Sequence, residues 1–284
     1  MELNEADFDR LRRHIHSLCG VRIQDEKKYL VVQRLESLVR DCGCEDFTAF
    51  CAHIDNKPSR ELNEKIIACI TTNETSFFRD LHPFDSFRNL LLPELGNRLK
   101  SAKAEGKAGG IKVWSAAAST GQEPYSLAMI ISDYVRANSC LGIAAKDFRI
   151  LATDISDKVL TKARSGLYNQ IEASRGLDPQ TREKFFERDG KNWRIKKEIS
   201  GQVDFQRLNL TESFSLLPAF DVIFCRNVLI YFDEKTRNDI LARFHRKLNR
   251  DGVLFLGASE NLYSMDTGLF APEQLGKTSV FRKK

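Results

Sequence analysis

KVWSAAASTGQEPYSLAM, residues 112–129, changes its apolar period halfway along. IKVWSA (111–116) is an apolar run of strand length, whereas EPYSLAMIISDYVRA (123–137) repeats apolar residues at the three- and four-residue steps of a helix. Between them Gly121 permits a tight turn, and Pro124 falls in the first helical turn, where its missing N–H leaves nothing unsatisfied. A strand that passes through a glycine turn into a helix is the opening of a βαβ unit. The residues downstream repeat it. FRILATD (148–154) is a second strand and leads into the helix ISDKVLTKAR (155–164). VDFQRLNL (203–210) and DVIFCRNVLI (221–230) are further strands, then come the helix KTRNDILARFHRKL (235–248) and the strands GVLFLGAS (252–259) and TSVFRKK (278–284). This alternation predicts an α/β fold with a mostly parallel sheet covered on both faces. An insert at about 166–202 carries FFERDGKNWRIKKE (185–198), where RDGKN between FFE and WRI predicts a β-hairpin.

Upstream the pattern is helical throughout. Asn4 is placed to cap a helix with Phe8, Leu11, Ile15 and Leu18 on one face. Asp25 precedes a second, with a stripe of Tyr29, Val32, Leu35 and Val39 ended by Gly43. Thr48–Ile54 and Ser59–Ile70 supply two more, separated by Pro58, and a longer helix runs from Pro83 to about Lys103 before the turn AEGKAGG. The expected organisation is an all-helical recognition domain over 1–75 and an α/β domain over 76–284.

The 284 residues are 42% hydrophobic and 29% charged, which excludes a disordered chain. No run approaches the roughly 18 apolar residues of a membrane span. The start MELNEADFDRLRRHIHS alternates charged and apolar residues unlike a signal peptide, so a cytoplasmic protein is expected. The net charge of +5 divides into −3 for residues 1–80 (12 Lys/Arg, 15 Asp/Glu) and +8 for residues 81–284 (32 and 24). No Lys/Arg run exceeds the three residues 282–284, so the dense basic stripe of a nucleic-acid binder is missing. Seven cysteines include the cluster Cys42, Cys44, Cys51 and His53, whose C-x-C-x6-C-x-H spacing lacks paired C-x2-C knuckles. Thiols lining helix contacts are expected there, and no metal.

Ligands of open α/β sheets sit beyond the carboxyl ends of the strands. This sequence places there the AASTGQEP turn with Glu123, then Asp154, Asn209, Arg226 and Asn227. An acid closing the second strand is placed to accept hydrogen bonds from ribose hydroxyls. A dinucleotide site would use G-x-G-x-x-G to bring backbone to a pyrophosphate. Here one glycine is present and Glu123 would repel an anion, so a cationic nucleoside, S-adenosylmethionine, is favoured over NAD or ATP. The plainer reading of Glu123 is a first-turn acid complementing a helix dipole.

The blocks TTNETSFFRD (71–80), KVWSAAASTGQEPYSLAM (112–129), ILATDIS (150–156), FDVIFCRNVLIYF (220–232) and GVLFLGASENL (252–262) together resemble the CheR-type chemotaxis receptor glutamate methyltransferases. The resemblance runs across nearly the whole chain. It implies a Rossmann-like S-adenosylmethionine-dependent methyltransferase domain with a small β insert behind an all-α domain. The cofactor would be held by Asn73, Thr75 and Arg79 of the first block, Glu123, Asp154, Asn209 and Leu210, and Cys225, Arg226 and Asn227, with Cys225 acting through its backbone. Arg79 and Tyr231 would act at the reacting centre. Helix capping by Asn73 and Thr75, and a core position for Tyr231, are the structural alternatives. The family's Cys before S-T-G is here Ala118, its second acid is Gln122, and the His of G-H-S-E-N is Ala258.

The implied reaction is transfer of a methyl group to glutamate carboxylates on the cytoplasmic helix of a methyl-accepting chemoreceptor, leaving S-adenosylhomocysteine. In some relatives the insert docks a peptide tethered to the receptor's C-terminus. RDGKN is several residues shorter than their loop, so independence from a tether is expected. Lys27, Arg34 and Arg40 are the expected docking cations for an acidic coiled coil, with Arg10, Arg12, Arg13 and Lys28 nearby in sequence. A bacterial cytoplasmic monomer recruited to receptor arrays follows as the expectation. An amino-directed nucleic-acid methyltransferase would want N/D-P-P-Y/F where this chain reads RNVLIYF. A non-catalytic regulator that only senses S-adenosylmethionine would be expected to lose Arg79 or Tyr231, and both are present.

Overall fold

The computed structural model describes residues 1–107, 109–260 and 268–284. Helices α1 (Glu5–Cys19), α2 (Lys28–Asp41), α3 (Phe47–Asn56) and α4 (Arg60–Ile70) form the N-terminal unit around a core of its own, containing Phe8, Leu35, Phe47, Phe50 and Ile66. Asn4, Asp46 and Ser59 each accept a backbone N–H at the start of α1, α3 and α4, which satisfies donors the helix leaves open. The apolar face of α2 is rotated from the expected stripe. Val31, Leu35, Leu38 and Val39 are buried, whereas Tyr29, in the first turn after a 3-10 segment, is 65% exposed.

The long helix that follows is α5 (His82–Ser86) and α6 (Leu92–Ala104) joined by a π-helical segment, Phe87–Leu91. Strands β1 (Ile111–Ala116), β2 (Phe148–Asp154), β6 (Val203–Arg207), β7 (Phe220–Cys225), β8 (Leu248–Leu256), β9 (Phe270–Leu275) and β10 (Thr278–Lys283) make one sheet in the order β6-β2-β1-β7-β8-β10-β9. The first five run parallel and β10 and β9 close the edge antiparallel. Helices α7 (Gln122–Ala137), α8 (Asp157–Ser165) and α12 (Glu234–Lys247) are the crossovers.

Side-chain alternation divides the strands between two cores. Val113, Ile150, Ala152, Val222 and Phe224 face the side of α5, α6 and α7, while Trp114, Leu151, Ile223 and Cys225 face the side of α12. The insert holds β3 (Leu167–Tyr168), β4 (Phe186–Asp189) and β5 (Asn192–Ile195) in a second sheet, with α9 (Gln170–Ser174), α10 (Pro179–Phe185) and α11 (Lys197–Ser200). The expected hairpin is present and turns through Gly190 and Lys191.

Three expectations change. The fourth expected strand ends at Cys225, because Asn227 takes a left-handed φ of 59° and Leu229–Tyr231 wind into a 3-10 turn. β8 begins four residues before Gly252. β9 went unpredicted, since Pro272 interrupts its pattern, and it survives as an edge strand paired to β10 alone.

Candidate active site

The register of three adjacent strands creates the site. Ala116 at the end of β1 lies opposite Thr153 of β2 and Cys225 of β7. The residues that follow, Ala117–Ser119, Asp154–Ile155 and Arg226–Asn227, therefore emerge on one edge, at the point where connections leave β1 in opposite directions. They line a cleft roofed by Cys19, Val21 and Ile70 of the helical unit and by the strap 71–76. Among the described residues, six of the seven non-glycine residues with positive φ belong to this region: Phe78, Asp80 and Leu81 after the strap, Ala117 and Ser119 after β1, and Asn227 after β7. Such conformations cost free energy and gather where function fixes the chain. Gly121, at φ 94°, starts α7; a Cβ there would press on Ala163 and the Tyr168 hydroxyl.

Asp154 is buried, and each carboxylate oxygen already accepts one backbone N–H, Oδ2 from Ser119 at 2.9 Å and Oδ1 from Ser156 at 3.0 Å. Burial pushes its carboxyl up, and those amides oppose the shift. A carboxylate oxygen accepts more than one bond, so acceptor capacity remains toward the cleft it lines.

Glu123 differs from its expectation. Its Oε1 accepts from the Ser115 hydroxyl at 2.8 Å, and its Oε2 from Arg226 Nη1 at 3.1 Å. Burial pushes the carboxyl up and Arg226 pulls it back. The carboxylate lines the cleft, and the guanidinium that opposes its charge is shared with Asp80. Arg226 lines the cleft as expected, with its guanidinium engaged on the protein. Its side chain is 2% exposed, and its Nη2 donates to Asp80 Oδ2 at 2.6 Å and to the Arg79 carbonyl at 2.9 Å, with the guanidinium over the Phe84 ring. It ties the strap to the floor of the cleft.

The strap is held at several further points. Ser119 Oγ donates to the Asn73 carbonyl at 3.0 Å and the Phe78 N–H to Ser126 Oγ at 3.0 Å. Asn73 and Thr75 line the cleft and cap no helix: α4 ends at Ile70 with Thr71 as its cap, and Leu81 precedes α5. Arg79 Nη1 donates to the Glu74 carbonyl at 2.8 Å, and the half-buried side chain lies at the cleft. Asn209 and Leu210 also line it, yet the Asn209 amide is engaged, donating to the Leu18 carbonyl and accepting from Thr211. Cys225 does not line the cleft. The pleat turns its thiol into the α12-side core, where burial pushes it well up. Tyr231 lines the cleft and its carbonyl accepts from the Arg22 N–H at 2.9 Å.

Of the docking cations, Lys27 and Arg40 are exposed, Arg40 pairing with Glu36 of its own helix at 2.6 Å. Arg34 is turned inward, donating to the Ile70 carbonyl and to Thr72 Oγ1 at 2.9 Å, so it fastens α2 to the start of the strap. Arg10, Arg12 and Lys28 pair with Asp55, Asp9 and Glu5. Cys51 packs inside the helical core, its thiol pushed up to about 12 by burial. Among the described residues no helix is long and apolar enough to cross a membrane, and no metal-ligating cluster is found.

Three features were missed at sequence level. Asp80, the last residue of the first block, partners Arg226. The helical unit supplies the roof, for which a lone apolar residue such as Val21 gives no signal. Glu260, inside the last block, lies beneath the loop after β7; Asn261 and Leu262 of that block fall outside the described residues.

A parallel sheet with a cleft at its carboxyl edge and an acid closing β2 is the architecture of S-adenosylmethionine-dependent methyltransferases. Residues 73–276 match the family description "CheR methyltransferase, SAM binding domain", and residues 6–71 match "CheR methyltransferase, all-alpha domain". The chain belongs to the CheR family of methyltransferases. It is similar to chemotaxis protein methyltransferase 1 of Pseudomonas aeruginosa, at 39% identity over 266 residues and 93% of each chain. Chemotaxis protein methyltransferase Cher2 of Pseudomonas putida is 37% identical over 92% of each. Chemotaxis protein methyltransferase of Escherichia coli is 37% identical over 94% of this chain and 88% of its own. A chemotaxis methyltransferase with S-adenosylmethionine as cofactor is thereby identified, and the reading as a non-catalytic sensor is not favoured.

Proposed function

We propose that this chain esterifies glutamate side chains on the cytoplasmic helix of a methyl-accepting chemoreceptor. The observation that carries this is the half-buried Arg79 at the cleft, a cation beside the place where an anionic acceptor must enter. S-adenosylmethionine supplies, when bound, a methyl group on a positively charged sulfur. Asp154 accepts from the ribose hydroxyls. Asn73, Thr75, Asn209, Leu210 and Asn227 shape the remaining wall, and the ion-paired Glu123 and Arg226 set its floor. Arg79 holds the acceptor carboxylate and Tyr231 orients it through the hydroxyl.

A glutamate carboxylate is already deprotonated near neutral pH, its ordinary pKa being about 4.3, so no general base is required. What the residues must supply is alignment and exclusion of water. The roof of Cys19, Val21 and Ile70 serves the second need. Transfer of radiolabelled methyl to purified receptor, lost when the candidate glutamates become glutamine, is the expected result; equal labelling of the glutamine receptor would reject the reading.

The insert supports independence from a receptor tether, because its hairpin turns through two residues and offers no extended loop. Tight retention of an isolated receptor-tail peptide on the immobilised protein would contradict this. The working form is proposed to be a monomer in the bacterial cytoplasm, drawn to receptor arrays by Lys27 and Arg40.

A further inference from the structure

Glu260 is a carboxylate the reaction does not use, and it is only 7% exposed. Its Oε1 accepts from the backbone N–H groups of Val228 at 2.8 Å, Leu229 at 2.6 Å and Ile230 at 3.3 Å. Its Oε2 accepts from Asn227 at 2.7 Å and Gly257 at 2.8 Å. Five backbone donors thus converge on one side chain. Four of them open the 3-10 turn after β7, where a helix start leaves N–H groups without partners. Helices are ordinarily capped by a residue just before them. Here the acceptor comes from about thirty residues downstream, beyond the end of β8, so one group joins the loops that follow two neighbouring strands.

Gly257 bears independently on the same point. A Cβ at that position would lie 2.7 Å from Glu260 Oε2 and 2.9 Å from the Asn227 nitrogen. The chain leaves room there for the carboxylate and nothing else. The loop so held runs from Asn227, in its left-handed conformation, to Tyr231, and both ends line the cleft.

We infer that Glu260 is a positioning residue for methyl transfer, whose carboxylate gathers the backbone of 227–230 and thereby sets Asn227 and Tyr231 in the wall of the cleft. The inference rests on the proposed roles of those two residues. Glutamine cannot replace Glu260, since either orientation of its amide presents a donor to one of the two groups of N–H donors.

Hydrogen exchange read by mass spectrometry on Glu260→Gln tests the holding directly. Exchange at 227–230 is expected to rise at least tenfold while the amides of β1 and β7 stay protected. Turnover should fall at least tenfold at a temperature where the variant is folded. Gly257→Ala, which crowds the carboxylate without removing it, should give the same pattern, and it carries both readouts if Glu260→Gln does not fold. Wild-type exchange at 227–230 in the folded variants would overturn the inference. So would raised exchange with unchanged turnover, provided Tyr231→Phe slows the reaction. If Tyr231→Phe and Asn227→Ala also leave turnover unchanged, it is the site reading that fails.

Discussion

Arg226 donates to Glu123 across 3.1 Å beneath the cleft, and the same guanidinium reaches Asp80 at the end of the strap. One guanidinium thus serves two carboxylates, so the charge of Arg226 is shared between Glu123 and Asp80. Breaking a buried pair by removing one partner costs about 3–5 kcal/mol, because the other charge is left uncompensated. Arg226→Met is therefore expected to lower unfolding free energy by an amount in that range. Combined with Glu123→Gln it should cost less than the sum of the single changes, as a cycle in urea would read.

Burial raises the Asp154 carboxyl, so it takes up a proton at a higher pH than a free aspartic acid, whose value is 3.8. The deprotonated form is the one that accepts two ribose hydroxyls. Affinity for S-adenosylhomocysteine should be full above the raised value and fall as pH drops through it. Asp154→Asn should weaken binding by roughly 1.5–3 kcal/mol, the contribution of hydrogen bonds to a charged group, and flatten that acid limb in calorimetry.

Arg79 and Tyr231 should separate by size of effect. Arg79→Ala is expected to lose most methyl transfer, about a hundredfold or more, since it removes the charge proposed to meet the acceptor. Tyr231→Phe, which removes one hydroxyl, should lose roughly tenfold, about 1.4 kcal/mol. Unchanged turnover in both, measured with radiolabelled methyl donor, rejects the assignment.

Cations on α2 should also divide. Lys27→Ala with Arg40→Ala is expected to raise KM for receptor with kcat unchanged, and to weaken the salt dependence of association. Arg34→Ala should instead lower stability, because its guanidinium holds the Ile70 carbonyl and Thr72. Thermal unfolding and receptor titration together distinguish the two outcomes.

Asp233 caps α12 and meets His16 of α1 at 2.9 Å, and its carboxyl is drawn down to about 2 by the Thr236 N–H and by His16. A lowered carboxylate adds stability that is complete above the unfolded value, about 3.9, and is lost as pH falls through the folded one. Asp233→Ala should cost about 1 kcal/mol at neutral pH, as cap removals do. Its acid unfolding curve should be shallower between about pH 4 and 2.

The sheet was readable because a buried parallel strand is a continuous apolar run and each of its helices repeats at a different period. The same reasoning finds residues at strand ends, which is why Asp154, Asn209, Arg226 and Asn227 all line the cleft. It cannot find what those residues touch. Glu123 looked like a solitary charge because its partner lies 103 positions away on another strand's loop. Cys225 and Arg226 are neighbours in sequence, yet the pleat sends one into the core and the chain's exit from the sheet brings the other to the cleft. The rotation of α2 was missed because Tyr29 and Val32 fit a helical stripe as well as Val31 and Leu38 do. Which face is buried is decided by packing against the rest of the helical unit.

Residues 18–22 of the roof meet the α/β domain through their main chain: the Leu18 carbonyl with Asn209 Nδ2, the Arg22 N–H with the Tyr231 carbonyl, and a bridge between Val21 and Phe232. Backbone groups are the same in every residue. Over generations the helical unit is therefore free to exchange its outward-facing side chains, including the docking cations proposed above, while the chamber beneath keeps its shape. Retargeting such an enzyme in the laboratory would call for rewriting one face of α2 and leaving residues 18–22 as they stand.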